Sequence, residues 1–312
     1  MDDLLEYDRA VMLGDTVLSY EEFKRLFEHK QGLVKFNDEF ILLDPEQVAK
    51  MLERFENPPD SREALQAVLS DDAVCSPSAK KLLESIFRET DTAVPHNLQA
   101  RLRPYQEKGF RWLYANIKSG FGCLLADDMG LGKTIQIISL ILTCKNSGEL
   151  DAPVLVTAPA SLISNWEHEI KKFAPELLTS IYHGNKRKFL QNSDVIITTY
   201  QTMQKDIEKI KDKRLFCIIL DEAQAIKNSG TKKAKAVKAI QAKAKIAMTG
   251  TPVENNLEDM RSIFDFFLPG YLGTADEFKK VWRIPIELHN SAETAERLKK
   301  NYSAVFDEKA QN

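Results

Sequence analysis

Residues 122–134 read Gly122-Cys123-Leu124-Leu125-Ala126-Asp127-Asp128-Met129-Gly130-Leu131-Gly132-Lys133-Thr134. This stretch opens with a short apolar run, continues through a loop that contains glycines, and leads into the helical pattern of residues 135–141. Glycines allow backbone N–H groups to approach a phosphate closely, and the start of a helix presents the positive end of its dipole. The stretch therefore predicts a strand, a phosphate-binding loop and a helix, in that order.

The end of this loop carries the side chains that a nucleotide requires. Lys133 can reach the outer phosphates, and the hydroxyl of Thr134 can bind Mg²⁺. The candidate phosphate site comprises Asp127, Asp128, Met129, Gly130, Leu131, Gly132, Lys133 and Thr134. The loop departs from the usual G-x-x-x-x-G-K-[ST] pattern, because Asp127 occupies the position of the first glycine. Taken alone, the loop could also be a helix start that happens to contain glycines.

Short apolar runs alternate with longer helical segments over the rest of this region. They comprise residues 122–126, 154–158, 195–199, 216–220 and 245–249. Each run is continuous rather than alternating, which is typical of strands that are buried on both faces of a parallel sheet. The sequence therefore predicts an α/β fold in which helices cover a parallel sheet. Ligands of such folds bind beyond the carboxyl ends of the strands, so the residues that follow each run are the candidates for chemistry.

Two carboxylates follow the fourth run, in Asp221-Glu222-Ala223-Gln224. Hydrolysis of a nucleotide bound to Mg²⁺ needs one acid to hold the metal and another to polarise the attacking water. We assign the metal to Asp221 and the water to Glu222. The alternative for this dipeptide alone is a solvated acidic helix cap. After the fifth run, the hydroxyls of Thr249 and Thr251 suit a sensor of the carboxylates or the γ-phosphate, although the segment could also be an ordinary turn.

A glutamine upstream of the loop is the candidate for base selection. Gln106 lies in the segment Leu102-Arg103-Pro104-Tyr105-Gln106, one amphipathic helix before the loop. Its amide offers a donor and an acceptor, which complement N6 and N7 of adenine. We therefore expect Gln106 to select ATP over GTP. The alternative is an exposed glutamine at a helix start.

The composition is that of a folded protein. The length of 312 residues corresponds to about two domains. Hydrophobic residues make up 43% and charged residues 29%, which excludes a disordered or collagen-like chain. The net charge of −3 argues against a polycationic coat for nucleic acid, although a local basic face stays possible. The 4 cysteines have no C-x-x-C spacing, which argues against a disulfide framework or a zinc site.

We place a domain boundary near Pro95, where a polar stretch ends. Residues 1–95 are predicted as a small α+β accessory module, with a hairpin of residues 33–36 and 40–43 and a helix that starts at Asp44-Pro45. Residues 96–312 are predicted as one nucleotide-binding domain. The N-terminus lacks a secretory signal and no apolar run approaches about 20 residues, so we expect a cytoplasmic protein with no membrane partner.

Taken together, these segments resemble the Swi/Snf family of helicase-like, DNA-dependent ATPases in the second helicase superfamily. The segments that match are residues 102–106, 128–134, 158–166, 221–228 and 249–255. Their order, spacing and content agree with the family over roughly residues 95–300. The preceding module resembles the accessory region of bacterial members.

The resemblance implies two RecA-like lobes that bind ATP and Mg²⁺ between them, with duplex DNA across both and translocation without strand separation. Carried over residue by residue, it assigns adenine to Gln106, phosphates and Mg²⁺ to Lys133 and Thr134, Mg²⁺ to Asp221, water to Glu222, and coupling to Thr249 and Thr251. Gln224 stands where many members have histidine. This difference affects only the coupling hydrogen bond that the resemblance assigns to this position.

A lysine-rich stretch is the candidate for a local DNA surface. No acid occurs between Lys227 and Lys245, and we expect Lys227, Lys232 and Lys233 to contact DNA. Ser161 and Asn165, at the start of the helix after the second run, are candidates for contact with the DNA backbone. The alternative for the lysines is a solvated helix face, and we assign Trp166 to the core.

The chain ends soon after Pro252, and we expect it to carry one RecA-like lobe without the second, so that it hydrolyses ATP very slowly by itself. Where a second lobe is present, the expected partner besides DNA is a DNA-bound protein, such as a transcription or repair complex. One alternative is a fragment that binds nucleotide or DNA without turnover. Another is an RNA-directed relative of the DEAD-box type, which residues 102–106 and 129–134 disfavour.

Overall fold

The computed structural model describes residues 10–13, 16–19, 22, 24–25, 32–36, 39–43, 91–128, 130–250 and 257–303. The chain divides into two compact units, residues 1–79 and 80–312. The helix predicted from Asp44-Pro45 lies outside the described residues. Because residues 44–90 are also outside them, the domain boundary at residue 95 stays a prediction.

The described part of the first unit contains two antiparallel hairpins. Strands β1 and β2 are Ala10–Leu13 and Thr16–Ser19, and strands β3 and β4 are Gly32–Phe36 and Glu39–Leu43. The second hairpin confirms the one predicted at residues 33–36 and 40–43. The first was not predicted, although Gly14 and Asp15 between its strands are residue types typical of two-residue hairpin loops.

The second unit is an α/β domain. Its strands are β5 Cys123–Leu125, β6 Val154–Ala158, β7 Thr179–Tyr182, β8 Val195–Thr199, β9 Cys217–Leu220 and β10 Ala244–Met248. Its α-helices are α1 Pro104–Lys118, α2 Lys133–Asn146, α3 Ile163–Phe173, α4 Tyr200–Lys205, α5 Ile207–Ile210, α6 Lys232–Ala239, α7 Leu257–Phe267, α8 Ala275–Phe278 and α9 Ala292–Ser303. Single 3₁₀ turns span Ala160–Leu162 and Ala223–Ile226, and a π-helical segment spans Lys279–Leu288.

The six strands form one parallel sheet in the order β5-β10-β9-β6-β8-β7. This arrangement confirms the predicted α/β class and all five predicted strands. The sequence missed β7, because this edge strand reads Thr-Ser-Ile-Tyr and is mostly half-buried or exposed rather than buried throughout. β7 therefore lacks the continuous apolar pattern from which the other five strands were predicted.

The strand order determines which loops meet. Ile219 of β9 pairs with Ile246 of β10 on one side and with Val156 of β6 on the other. Since β5 pairs with β10, the carboxyl ends of β5, β10, β9 and β6 lie in a row along one edge of the sheet. The phosphate loop, Thr249, the acid pair and the segment that starts with Pro159 follow these ends.

The sheet packs against α1, α2 and α3 through a hydrophobic core. Phe110, Leu113, Ile138 and Ile170 of these helices are almost completely buried against apolar residues of the strands. Cys123, Cys144 and Cys217 are free and buried, and burial raises the pKa of each thiol, which makes them poor nucleophiles. Among the described residues, no helix is both long and apolar enough to cross a bilayer.

A buried aspartate near the sheet edge gives a pH-dependent contribution to stability. The carboxylate of Asp206 accepts hydrogen bonds from Arg187 Nε at 2.5 Å and from the Tyr182 hydroxyl at 2.8 Å. The hydrogen bond from Arg187 is the main cause that lowers the pKa of Asp206 to about 2. Because the folded-state pKa is the lower one, this stabilisation is complete above the ordinary carboxyl pKa and disappears as the pH falls towards 2.

We therefore expect Asp206→Asn to lower the free energy of unfolding by about 2 kcal/mol at neutral pH, and by progressively less as the pH falls below about 4. Urea unfolding of both chains between pH 7 and pH 3 measures this difference. Asp212→Asn, at an exposed position, is the control and should change little. A loss that is equal at every pH would contradict the assigned cause.

Candidate functional site

The phosphate loop and helix α2 are joined by a glycine with left-handed backbone. Gly132 has φ of +80° and immediately precedes Lys133, the first residue of α2. The Lys133 ammonium donates hydrogen bonds to the carbonyls of Asp127 at 2.7 Å and Asp128 at 3.0 Å. An ammonium has three donors, so a third N–H is left for a phosphate. Met129 lies outside the described residues.

The pKa of Lys133 is influenced by burial and by the charges of the neighbouring carboxylates. Burial lowers the pKa of the ammonium, and the carboxylates of Asp127, Glu222, Asp221 and Asp128 act in the opposite direction. The predicted phosphate ligand Lys133, the predicted metal ligand Asp221 and the predicted water-activating Glu222 therefore share one electrostatic environment. These groups come from the ends of β5 and β9.

Helix α1 is tied to the loop by Gln106. Its Oε1 accepts a hydrogen bond from the Arg103 N–H at 2.9 Å, and its Nε2 donates to the Leu131 carbonyl at 2.9 Å. The Tyr105 hydroxyl donates to the same carbonyl at 3.0 Å. Gln106 Nε2 also donates to the Tyr105 hydroxyl at 3.5 Å. Gln106 thus positions the loop, and its Oε1 retains one further lone pair. The adenine contact stays a prediction.

Asp127, which replaces the usual glycine, has a partner on α2. Its buried carboxylate accepts a hydrogen bond from Gln136 Nε2 at 3.1 Å. Gln136 Oε1 lies against Gly109 of α1, where a Cβ would be only 2.1 Å from that oxygen. The absence of a side chain at residue 109 therefore makes room for the glutamine that holds Asp127.

Asp221 is held on both sides. Its Oδ2 accepts a hydrogen bond from Trp166 Nε1 at 2.8 Å, and its Oδ1 accepts one from the Glu222 N–H at 3.0 Å. The Tyr200 hydroxyl donates to the Asp221 main-chain carbonyl at 2.8 Å. Burial raises the pKa of Asp221, and the hydrogen bond from Trp166 opposes that change. The carboxylate therefore has a fixed orientation.

Glu222 takes an uncommon backbone conformation and begins a hydrogen-bond chain. Its φ of +53° lies in the left-handed region, which is rare for residues other than glycine. Its Oε2 accepts a hydrogen bond from Gln224 Nε2 at 2.6 Å, and Gln224 Oε1 accepts one from the Thr249 hydroxyl at 3.1 Å. This chain joins the ends of β9 and β10. Thr251, the other predicted coupling residue, lies outside the described residues.

The donor set fits a magnesium ion that arrives with a nucleotide. Thr134 is half-buried in the first turn of α2, and Asp221 uses one lone pair on each carboxylate oxygen. Hydroxyl and carboxylate oxygens suit Mg²⁺, which takes one or two protein ligands and completes its shell with phosphates and waters. In the described ranges, no group of three or more His, Cys, Asp or Glu side chains could hold a metal by itself.

The candidate DNA contacts are mostly accessible. Ser161 and Asn165 are exposed, and Asn165 Nδ2 donates to Glu169 at 3.0 Å. Lys232 is exposed and Lys233 is half-buried. Lys227 is exposed and forms an ion pair with Asp259 at 3.4 Å.

The far end of the lysine-rich stretch is used differently. Lys238 Nζ bonds to Asp265 at 2.9 Å, and Lys245 Nζ donates to the Lys238 carbonyl at 3.2 Å. These two lysines hold α6 to its neighbours.

Sequence reasoning missed three positioning side chains. Trp166 was assigned to the core, and it is indeed buried, but its indole N–H also bonds to Asp221. Tyr200 and Gln136 carried no assignment. Gln136 left a signal, since it is a polar residue inside the apolar helix pattern of residues 135–141. A polar side chain on a buried helix face needs a partner.

Comparisons with known proteins identify the family that this chain resembles. Over residues 105–306 the chain matches a family described as the SNF2-related domain, and over residues 1–70 one described as SNF2 Helicase protein. A Bacillus subtilis protein described as putative ATP-dependent helicase/translocase YwqA is 34% identical over 92% of this chain and 35% of its own length. This chain thus spans about a third of that relative.

Two further proteins are similar to about two thirds of this chain. The TATA-binding protein-associated factor MOT1 of Saccharomyces cerevisiae is 35% identical over 65% of this chain and 12% of its own length. A solved structure described as the Sulfolobus solfataricus SWI2/SNF2 ATPase core in complex with dsDNA is 43% identical, with a TM-score of 0.66. That match covers 70% of this chain and 46% of the solved chain. The similarity confirms the predicted RecA-like fold of the sheet domain.

Proposed function

Because the chain belongs to the SNF2-related domain family, as its motifs predicted, we propose that it is the ATP-binding lobe of a translocase that moves along double-stranded DNA. The observation that carries this proposal is the strand order, which places Lys133 in the segment after β5 and Asp221 and Glu222 after β9, at the carboxyl ends of one parallel sheet. A phosphate ligand, a metal ligand and a water-activating acid are the parts that nucleotide hydrolysis requires.

Each residue of the site has a distinct task in the proposed hydrolysis. Lys133 binds an outer phosphate through its third N–H, while the carbonyls of Asp127 and Asp128 fix its position. Asp221 and Thr134 are the residues that would hold Mg²⁺, which supplies charge neutralisation on the phosphates. Glu222 orients the attacking water and accepts its proton. A second RecA-like lobe completes this site, so hydrolysis by one lobe is slow.

The hydrogen bonds of Gln224 connect this chemistry to the neighbouring strand. A change in the charge of Glu222 alters its bond to Gln224, and Gln224 in turn contacts Thr249 at the end of β10. An amide can donate to a carboxylate and accept from a hydroxyl at the same time. Gln224, which stands where many members have histidine, therefore supplies both hydrogen bonds of this connection.

The proposed DNA surface consists of Ser161, Asn165, Lys227, Lys232 and Lys233. Ser161 and Asn165 follow β6, and the lysines follow β9, its neighbour in the sheet. The solved relative from Sulfolobus is described as a complex with dsDNA, which supports duplex DNA as the ligand. The description of MOT1 as a TATA-binding protein-associated factor supports a DNA-bound protein as the object that is moved.

The proposal is tested by ATP turnover of the full chain with and without duplex DNA. We expect duplex DNA to raise turnover severalfold, and duplex RNA of the same sequence to raise it less. Binding of ATP and DNA without any turnover would instead support the binding fragment, and stronger stimulation by RNA would support the DEAD-box alternative. Either result would contradict the proposed translocase.

Duplex binding at increasing salt tests the surface itself. Each phosphate contact contributes about −0.9 to the slope of log K against log salt, so Lys232→Ala should make the slope less steep by about that amount. Lys243→Ala is the matched control, because Lys243 is an exposed lysine that precedes β10 and lies at the opposite edge of the sheet. Equal effects of the two substitutions would exclude a defined DNA surface at Lys232.

A further inference from the structure

One short segment contains both candidate DNA contacts and a hydrogen-bond donor to Asp221, the predicted metal ligand. Ser161 is exposed in the 3₁₀ turn that precedes α3, Asn165 is exposed in the first turn of α3, and Trp166 is the next residue along the helix. The Trp166 side chain is only 1% exposed. Its indole Nε1 donates to Asp221 Oδ2 at 2.8 Å. Helix α3 therefore exposes Asn165 to solvent and contacts the carboxylate of Asp221 through Trp166.

We propose that Trp166 is a positioning residue that orients Asp221 for magnesium–nucleotide binding and links this carboxylate to the DNA-contacting segment at residues 161–165. The link to DNA rests on the proposed function. The orientation of Asp221 does not, since it follows from contacts within the chain.

The two hydrogen bonds on Asp221 define the plane of its carboxylate. Rotation about the terminal torsion of aspartate is soft, and one bond from the Glu222 N–H to Oδ1 leaves that rotation partly free. The indole donor on Oδ2 removes this freedom. Tyr200 holds the Asp221 carbonyl, so the main chain is fixed separately from the side chain.

Tryptophan suits this task because its donor is single and rigidly placed. Indole has one N–H and no acceptor, so it cannot reverse the hydrogen bond or exchange a proton with the carboxylate. The ring is packed in the core beside residues of the sheet, which prevents it from swinging away. Phenylalanine would fill much of this space, but it would leave Asp221 Oδ2 without its donor. The contact with Asp221 therefore explains why an indole occupies this core position.

The same rigidity connects the two surfaces of α3. A displacement of residues 161–165 by DNA would move the indole, since α3 begins at Ile163 and Trp166 lies in its first turn. The indole would carry the carboxylate of Asp221 with it. Contact with DNA would thereby alter metal binding without any contact between DNA and the nucleotide.

The first test is the Mg²⁺ dependence of binding of a fluorescent, non-hydrolysable ATP analogue to the full chain. Loss of an outer hydrogen bond to a metal ligand weakens metal binding by about 10-fold or more. We expect Trp166→Phe to raise the half-saturating Mg²⁺ concentration by about that factor, with analogue binding in EDTA unchanged. Trp112→Phe, at another buried tryptophan, on α1, is the matched control. An unchanged Mg²⁺ dependence, or equal changes in both variants, would overturn the proposal.

A second measurement leaves Trp166 in place, in case its replacement unfolds the chain. The protein has 3 tryptophans, so a Trp112→Phe/Trp282→Phe chain reports the fluorescence of Trp166 alone. We expect its emission to change when Mg²⁺ is added to the complex with the analogue, and to stay constant when EDTA is added instead. If the emission of Trp166 does not change on addition of Mg²⁺, the indole is not coupled to the metal site and the proposal is wrong.

The DNA link is tested by the ratio of turnover with and without duplex DNA. We expect Trp166→Phe to lower this ratio, while Trp112→Phe preserves it. If the parent chain shows stimulation and Trp166→Phe retains the same ratio, the link is wrong. If the parent shows no stimulation, the proposed translocase fails, and the Mg²⁺ titration still decides whether Trp166 orients Asp221.

Discussion

Replacement of Glu222 by glutamine is expected to lower ATP turnover by about 10²- to 10⁴-fold while ATP binding is retained. An amide cannot accept the proton of the attacking water, but it has the size of the carboxylate. Its oxygen can still accept the hydrogen bond from Gln224 that Glu222 Oε2 accepts at 2.6 Å. Glutamine at position 222 therefore removes the proton acceptor and keeps the hydrogen bonds that lead through Gln224 to Thr249.

Turnover is measured with duplex DNA at saturating ATP, and affinity is measured with the fluorescent analogue. Glu208→Gln, at an exposed glutamate of α5, is the control for loss of one negative charge and should behave like the parent. A Glu222→Gln chain that hydrolyses ATP at the parental rate would remove Glu222 from the reaction. A chain that loses ATP binding to the same degree would assign it to binding instead.

Substitution of Gly132 by alanine is expected to weaken ATP binding by about 10- to 100-fold, which corresponds to about 1.4–2.7 kcal/mol. The backbone at this position has φ of +80°, where a Cβ costs about 1–2 kcal/mol. The new Cβ would also lie 2.3 Å from Gln106 Nε2 and 3.3 Å from Ile135 Cγ2. Alanine would therefore displace the glutamine that fixes Leu131 of the phosphate loop.

Gly130 provides a closely matched control. Its φ is +85°, and a Cβ there would meet nothing within 4 Å. Both substitutions carry a similar backbone cost, and the Gly132 substitution adds the collision with Gln106. We expect the smaller loss of affinity for Gly130→Ala. Equal losses would mean that backbone strain alone governs the loop, and a double-mutant cycle with Gln106→Ala would then give no coupling.

The parallel sheet could be predicted because its inner strands are buried on both faces. Val154–Ala158 and Val195–Thr199 are completely buried, so their sequences are continuous runs of apolar residues and threonine. Thr179–Tyr182 lies at the sheet edge, where half-buried threonine and serine are tolerated. Its pattern resembles a loop, and only its pairing with Val195–Thr199 reveals the strand.

The reactive groups could be predicted because they lie in the segments that follow strands. Lys133, Asp221 and Thr249 come after three apolar runs whose ends must meet in a parallel sheet. Their supporting partners are remote in the chain: Trp166 is 55 residues from Asp221, and Tyr200 is 21 residues from it. Periodicity and motif spacing carry no information on such pairs, since they depend on how helices pack against the finished sheet.

The order of the strands has a consequence for local opening. The described contacts of the site come from segments that follow β5, β6, β8, β9 and β10, whereas β7 pairs only with β8 at the edge. Fluctuations that detach β7 would thus leave hydrolysis intact, and amide hydrogens of this strand would exchange early. Separation of β9 from either neighbour would dismantle the site at once. We therefore expect ATP turnover to report on the pairing of the five strands that support the site, and to be insensitive to fraying of β7.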